Sequence, residues 1–260
     1  VSTTNGNGVW SDWPLILAYH SISDHRTDSL AVRPADFEYQ IAWLQKHGYR
    51  SMTLAQFVTQ TVEKGKRIVI ITFDDGYADN YHLAYPILMR YGFAATVFLV
   101  SDYVGTDRIL PPDQPKITKR SDQTLYSHLT WDQIHEMAAH NIEFGSHTCT
   151  HPRELTALSA AQHWQQIAHS RQDLQRKLGK DVISFCYPRG NLNGDVINTV
   201  EKAGYSCGVV TPPRWGIPLS RYTLRRIGIY HRNTPVTFRI KIMPIVRKYY
   251  EHYQWLKGKK

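Results

Sequence analysis

Apolar and polar positions alternate along the chain in blocks that read strand, helix, strand, helix. Short apolar runs of strand length lie at Leu15 to Tyr19, Ile68 to Phe73, Ala95 to Val100, Ile142 to Gly145, Ile183 to Tyr187, Ser206 to Val210 and Leu224 to Ile229. Between them the period becomes helical. Phe37 to His47 carries Phe37, Ile41 and Leu44 at helical spacing after the start signals Pro34 and Asp36. Ser159 to Leu178 opens on a capping serine and closes at Gly179, and Gly194 to Ala203 runs into Gly204-Tyr205. This alternation, about seven strand-helix repeats, predicts an α/β fold on a mainly parallel sheet.

Two segments break the rhythm. Val104 to Ser127 holds Pro111, Pro112 and Pro115 with little periodicity, and is expected to be an irregular, mobile loop bordering the third strand, with Tyr126 and His128 near a helix start at Leu129 to Asp132. The tail, 237–260, mixes apolar residues with Arg239, Lys241, Arg247, Lys248, Lys257, Lys259 and Lys260, and reads as a basic amphipathic helix broken near Pro244. Such a helix docks on its own domain or on an anionic membrane surface. The first residues, 1–14, form a polar extension without a basic-then-apolar signal pattern.

Composition narrows the class. With 260 residues, 42% of them hydrophobic, the chain can bury one large core, and no apolar run reaches membrane-spanning length. Cys149, Cys186 and Cys207 are an odd number, far apart, so no disulfide framework is indicated, and Cys149 reads as a small filler. The net charge of +9 is dispersed or gathered in the tail, without a nucleic-acid-binding signature, which argues against a nucleic acid partner. A basic surface suits anionic envelope polymers or lipid head groups and repels amines.

The candidate chemistry sits at strand ends. The run Ile68 to Tyr77 delivers Asp74 and Asp75 to a glycine turn. A bare Asp-Gly turn is the plain alternative. Adjacent carboxylates shift each other's pKa unless a cation or proton intervenes, which suggests one metal ligand and one base. The stretch Phe144 to Pro152 adds His147 and His151, four positions apart. Asp75 with these imidazoles makes a mixed donor set of the kind that holds a first-row divalent ion and leaves a position for water.

Thr72 to Gly76, His147 to Pro152 and Ile183 to Gly190 together resemble the three motifs of the polysaccharide deacetylases of carbohydrate esterase family four, with the likeness running from about Leu15 to about Tyr230. The resemblance implies a distorted (β/α)7 barrel over 15–236. It makes Asp74 the general base, Asp75, His147 and His151 the ligands of one divalent metal (zinc first, cobalt or nickel as alternatives), and the backbone amide of Arg189 an oxyanion donor. Tyr77, Pro188 and Gly190 are the expected substrate wall, with Tyr187 in support; Tyr19, Tyr77, Trp131, Tyr187, Trp13 and Trp215 are candidates for stacking on sugar rings.

Two departures stand out. Many members carry an arginine where Cys186 stands, and a late Leu-x-His where only His231 is comparable. Leu15 to His20, an apolar strand closing on a histidine, is instead similar to a rearranged subgroup that deacetylates poly-N-acetylglucosamine, so His20 is preferred to His231 as the acid, and Arg226 is the candidate for the missing arginine's role. The expected activity is metal-dependent N-deacetylation of an N-acetylglucosamine-containing polysaccharide, releasing acetate outside the cytoplasm. Peptidoglycan, a lipid-linked N-acyl sugar, or glycan binding without catalysis are the alternatives.

Overall fold

The computed structural model describes residues 14–61, 65–211, 217–244 and 246. In chain order they form β1 (Leu15–Tyr19), β2 (Ser21–Ile22), β3 (Ala31–Val32), α1 (Pro34–Lys46), β4 (Tyr49–Ser51), α2 (Leu54–Thr59) and β5 (Arg67–Phe73). There follow α3 (Tyr85–Tyr91), β6 (Ala95–Leu99), α4 (Trp131–Ala138), β7 (Ile142–Ser146), α5 (Ala160–Trp164), α6 (Ser170–Leu178) and β8 (Ser184–Cys186). The last elements are α7 (Gly194–Lys202), β9 (Cys207–Val210), β10 (Leu224–Arg225), β11 (Ile227–Gly228) and α8 (Pro235–Ile242).

The main sheet runs β10-β9-β8-β7-β6-β5-β1-β11 with every pairing parallel, and β4 joins the start of β5. Its two edges, β10 and β11, flank Arg226 on one chain segment: Leu224 pairs with Val209, whereas Ile227 pairs with Leu17. That broken final strand changes neighbours at Arg226 and brings the edges together, so the sheet curls into a distorted barrel. Counted as one, it makes the seven strands of the expected barrel.

Alternation along the strands separates two apolar layers, as the two-residue period requires. Leu15, Leu17 and Tyr19 of β1 join Val69, Ile71 and Phe73 of β5 in the large core that the helices cover. Ile16 and Ile70 point the other way, to Phe98, Cys186, Val209 and Leu224 in the barrel interior, with Leu54 of α2 packed against them. Asp74, at the parity of Ile70 and Thr72, continues this interior column toward the C-terminal rim.

The long helix expected from Ser159 to Leu178 is present but not uniform. Ser159 caps it with Gln162 in a reciprocal box and Gly179 ends it in the left-handed conformation, while Gln165–His169 widens into a π-helical turn between α5 and α6. A second π-helical turn, Asn80–Ala84, precedes α3.

The loop 104–127 departs from the expectation of plain mobility. The Arg26 guanidinium, fully buried, lies between the Tyr77 and Tyr126 rings at 4.4 and 4.3 Å and donates to Asp28, with Asp113 3.9 Å away. Lys116 also bonds Asp113. Scattered polar residues fasten this loop, which is why its lack of periodicity misleads. In the tail, α8 buries Phe238 and Ile242, with Phe238 edge-on to Trp43 of α1. Trp13, Trp215 and all of 247–260 lie outside the described residues.

Candidate active site

The turn after β5 carries Asp74 and Asp75. The amide of Asp74 donates to the Tyr19 carbonyl at 3.0 Å, which ties the turn to the end of β1 beside His20. Asp75 and Gly76 both have positive φ, 72° and 69°, and a Cβ on Gly76 would press into the Leu99 side chain at 2.7 Å. Thr148, His151 and Arg189 also have positive φ. Among the described residues only Asn141, outside these turns, shares that conformation without being glycine. Backbone held in so sparsely populated a region costs free energy and concentrates where side chains must be aimed.

Asp75 Oδ1 lies 3.6 Å from Nε2 of His147 and 3.6 Å from Nε2 of His151, and the three donor atoms fall within 4.8 Å of one another. Burial holds both imidazoles neutral, pulling His147 down to about 3 and His151 to about 4, so these contacts are not ion pairs. Burial also pushes Asp75 up to about 6, with Asp74 adding to the rise. Asp75 Oδ1 is buried without a hydrogen-bond partner. At 3.6 Å the contacts exceed a hydrogen bond, yet they are close to the roughly 3.4 Å that separates two donors on a tetrahedral ion with bonds of about 2.1 Å. The His147 ring is aimed by its Nδ1, which donates to the Cys186 carbonyl at 2.8 Å and leaves Nε2 to face Asp75. Neutral imidazoles, an orphaned carboxylate oxygen and this spacing fit one divalent cation.

Asp74 is held differently. Arg226 grips it with two hydrogen bonds, Nη1 to Oδ1 at 2.7 Å and Nη2 to Oδ2 at 2.6 Å. The remaining guanidinium hydrogens go to Thr72 Oγ1, Thr211 Oγ1 and Cys186 Sγ, so all five donors are used. Burial alone would raise the Asp74 pKa, but the charge and hydrogen bonds of Arg226 outweigh it and hold the carboxyl far below the usual range. The break between β10 and β11 puts Arg226 here, across the barrel from β8. Cys186 fills the interior position without a charge and leaves room for that arm. His20 Nε2 stands 3.8 Å from Asp74 Oδ2, with the side chain 16% exposed. His20, His151 and the turn Pro188–Gly190 are the parts of the cluster nearest solvent or rim, and Arg189 is near enough to His151 to lower its pKa.

Other candidates fall elsewhere. Tyr77 is 1% exposed and its hydroxyl bonds Asp113; Tyr187 is 1% exposed among Phe185 and the β9 backbone. Tyr19 is fully buried and bonds Gln40. These rings are core, and the idea that they stack on sugars is corrected: their strand positions turn them inward. Pro188 and Gly190 are buried within their turn. His231 is not at the cluster but in a separate cleft with Thr27, Ser29 and Lys241.

Two supports carry no motif and were not anticipated. Asn80, buried in its π-helical turn, donates to the His20 carbonyl at 2.9 Å and to Asp79. Gln166, in the other π-helical turn, accepts from the amide of Cys149 through its carbonyl and from the amide of Thr150 through its side chain, at 3.1 and 3.0 Å. The Cys149 thiol adds a bond to the Gln165 carbonyl. A π turn frees carbonyls from the helical ladder, and here they secure the loop between His147 and His151.

With this geometry in view, residues 61–208 match the family model described as polysaccharide deacetylase. YxkH of Bacillus subtilis (strain 168) is 35% identical over 201 residues, 76% of this chain and 64% of that protein. The poly-beta-1,6-N-acetyl-D-glucosamine N-deacetylase of Staphylococcus aureus is 29% identical over 194 residues, 73% of this chain and again 64% of its own length. Among solved structures, BC0361, a polysaccharide deacetylase from Bacillus cereus, superposes with a TM-score of 0.72 at 25% identity, covering 89% of this chain and 69% of that one.

Proposed function

Because the chain belongs to the polysaccharide deacetylase family, and so to the hydrolases, we propose that it removes N-acetyl groups from a poly-N-acetylglucosamine-type exopolysaccharide, releasing acetate, and that it does so outside the cytoplasm with a divalent metal, zinc by preference. One observation carries the reading: a neutral two-imidazole, one-carboxylate pocket lies directly beside a second carboxylate held ionised by arginine. The substrate rests on the likeness to the staphylococcal enzyme.

In this proposal Asp75, His147 and His151 hold the ion, which when bound polarises the acetyl carbonyl and acidifies a water. Asp74 takes the proton of the attacking water. Arg226 occupies one lone pair on each of its oxygens, so the free lone pair of Oδ2 on the His20 side is left to accept. The Arg189 amide donates to the oxygen that gains negative charge as the carbonyl becomes tetrahedral; preorganised donors of this kind contribute about a hundred- to thousand-fold in rate. His20 gives its proton to the sugar nitrogen as the C–N bond breaks, so the leaving group departs as a neutral amine. Acid and base therefore stand 3.8 Å apart on adjoining strand ends, β1 and β5.

Acetate release from β-1,6-linked N-acetylglucosamine oligomers, from chitin oligomers and from peptidoglycan, each with zinc added and with chelator, tests this. Zinc-dependent release fastest from the β-1,6 oligomers is expected. Release from none of the three, or turnover undiminished by chelator, would sink it.

A further inference from the structure

His231, set aside as the acid, lines a cleft of about 490 Å3 with Thr27, Ser29, Tyr230, Arg232, Asn233 and Lys241. The cleft belongs to the same rim as the catalytic cluster. β11 runs beside β1, and the Ile229 amide bonds the Ala18 carbonyl at 2.8 Å, so Tyr230 leaves the barrel level with Tyr19 and His20. Tyr230 folds back across its own strand, and its hydroxyl lies where a Cβ at residue 228 would stand, so a side chain there would push the ring aside. Tyr230 thus lines the cleft and is also near enough to Arg226, the residue that grips Asp74, to act on its charge.

The floor is cross-linked. Lys241 Nζ donates to the Gly228 carbonyl at 2.9 Å and to Asn233 Oδ1 at 3.1 Å, and lies 5.2 Å from the centre of the Tyr230 ring; Asn233 Oδ1 also accepts from the Tyr230 amide. Thr27, Ser29, His231 and Arg232 are the exposed lining residues, and the His231 amide donates to the Ser29 carbonyl at 3.0 Å, so the two segments adjoin. An aromatic ring with hydroxyl and amide groups around it suits a sugar. Two cations and no carboxylate line the cleft.

We propose that this cleft is a subsite for the sugar unit next to the one being deacetylated, and that it accepts an N-acetylated unit and rejects one already converted to an amine. The inference rests on the deacetylation proposed above. A glucosamine unit is substantially protonated at neutral pH, and its ammonium would stand among Arg232 and Lys241, whereas an acetamide carries no charge. Like charges about 6 Å apart, in surroundings between protein edge and water, disfavour binding by about tenfold. The consequence is a dispersed product: removal of one acetyl group protects a neighbour, so the polymer is left partly acetylated.

The test uses the zinc-loaded protein and β-1,6-linked tetramers, one fully acetylated and others carrying a single glucosamine at each position in turn. The wild type is expected to show kcat/KM lowered about tenfold when glucosamine falls at one position beside the reacting unit, with the difference shrinking in 0.5 M salt. Arg232→Glu, at an exposed position, should abolish or reverse that discrimination, and Ser29→Trp, which fills the cleft, should weaken the fully acetylated tetramer through KM. Equal kcat/KM for all tetramers, or discrimination unaltered in both variants, overturns the subsite alone. No acetate from the fully acetylated tetramer overturns the deacetylase proposal and the subsite with it.

Discussion

Asp74 and Asp75 are neighbours in sequence with opposite electrostatics, and the difference lies in what faces each. Asp74 meets a guanidinium with every donor engaged; Asp75 meets two uncharged imidazoles and keeps an oxygen without a partner. In the proposed mechanism the first is the base and the second one of three metal ligands. Asp74→Asn is therefore expected to retain zinc and lose turnover by about a thousandfold, and to lower thermal stability, because Arg226 keeps its buried charge without its counter-ion, a loss of about 3 kcal/mol. Zinc content, acetate release and a melting curve check the three parts; loss of zinc would show the two carboxylates to be misassigned. His20→Ala, by contrast, removes the proposed proton donor and leaves the proposed metal donors untouched. Turnover should fall about a hundredfold or more with zinc content unchanged, and near-normal kcat in that variant would return attention to another acid.

The elements behind the site are the two π-helical turns. Each stands where a regular helix would satisfy its own carbonyls, and each instead turns polar groups toward a segment of the candidate site: Asn80 to the carbonyl of His20, Gln165 and Gln166 to the loop that ends in His151. Gln166→Ala should leave the barrel folded, since the side chain bonds only that loop, and weaken zinc binding about 10- to 100-fold, the usual effect of removing a ligand's support. Calorimetric titration of zinc into the variant measures it. An unchanged affinity would mean that the left-handed backbone at Thr148 and His151 suffices by itself.

For the whole molecule, the proposed ligands come from the ends of two strands, β5 and β7, which are joined through β6, so a bound ion would add a direct link between them. At a hundredfold excess over Kd, zinc should add about 2.7 kcal/mol, roughly 5 to 10 °C in Tm. The pH dependence follows from Asp75. Its pKa is raised by burial to about 6 in the metal-free fold, above its unfolded value of 3.8, so the metal-free fold loses this group's contribution as pH rises through about 6. Zinc binds the ionised form, and the Tm increment should be full above pH 6 and shrink as acid returns the proton. His147 and His151, held near 3 and 4, stay neutral throughout that window and do not set it. An increment independent of pH between 5 and 7 would rule Asp75 out as the controlling ligand.

Some of this was legible without coordinates. Strand ends follow from local apolar runs, so Asp74, Asp75, His147, His20 and the Pro188–Gly190 turn could be placed at one rim, and the capping serine and closing glycine of the long helix were readable from spacing. All of these depend on residues within a few positions of each other. What only the tertiary structure decided is non-local. Arg226 reaches Asp74, 152 residues away, because the last strand changes partners at that residue. Tyr77 and Tyr187 turn inward because pleat and turn geometry decide which side of the barrel a ring faces, and an aromatic residue carries no mark of that. The polar pins of the 104–127 loop, like Asn80 and Gln166, act across folds of the chain, where spacing holds no record of which groups meet. The sequence determined which residues stand at strand ends; barrel closure determined which of them share a hydrogen bond, because register and strand partners are set by the packing of the whole core.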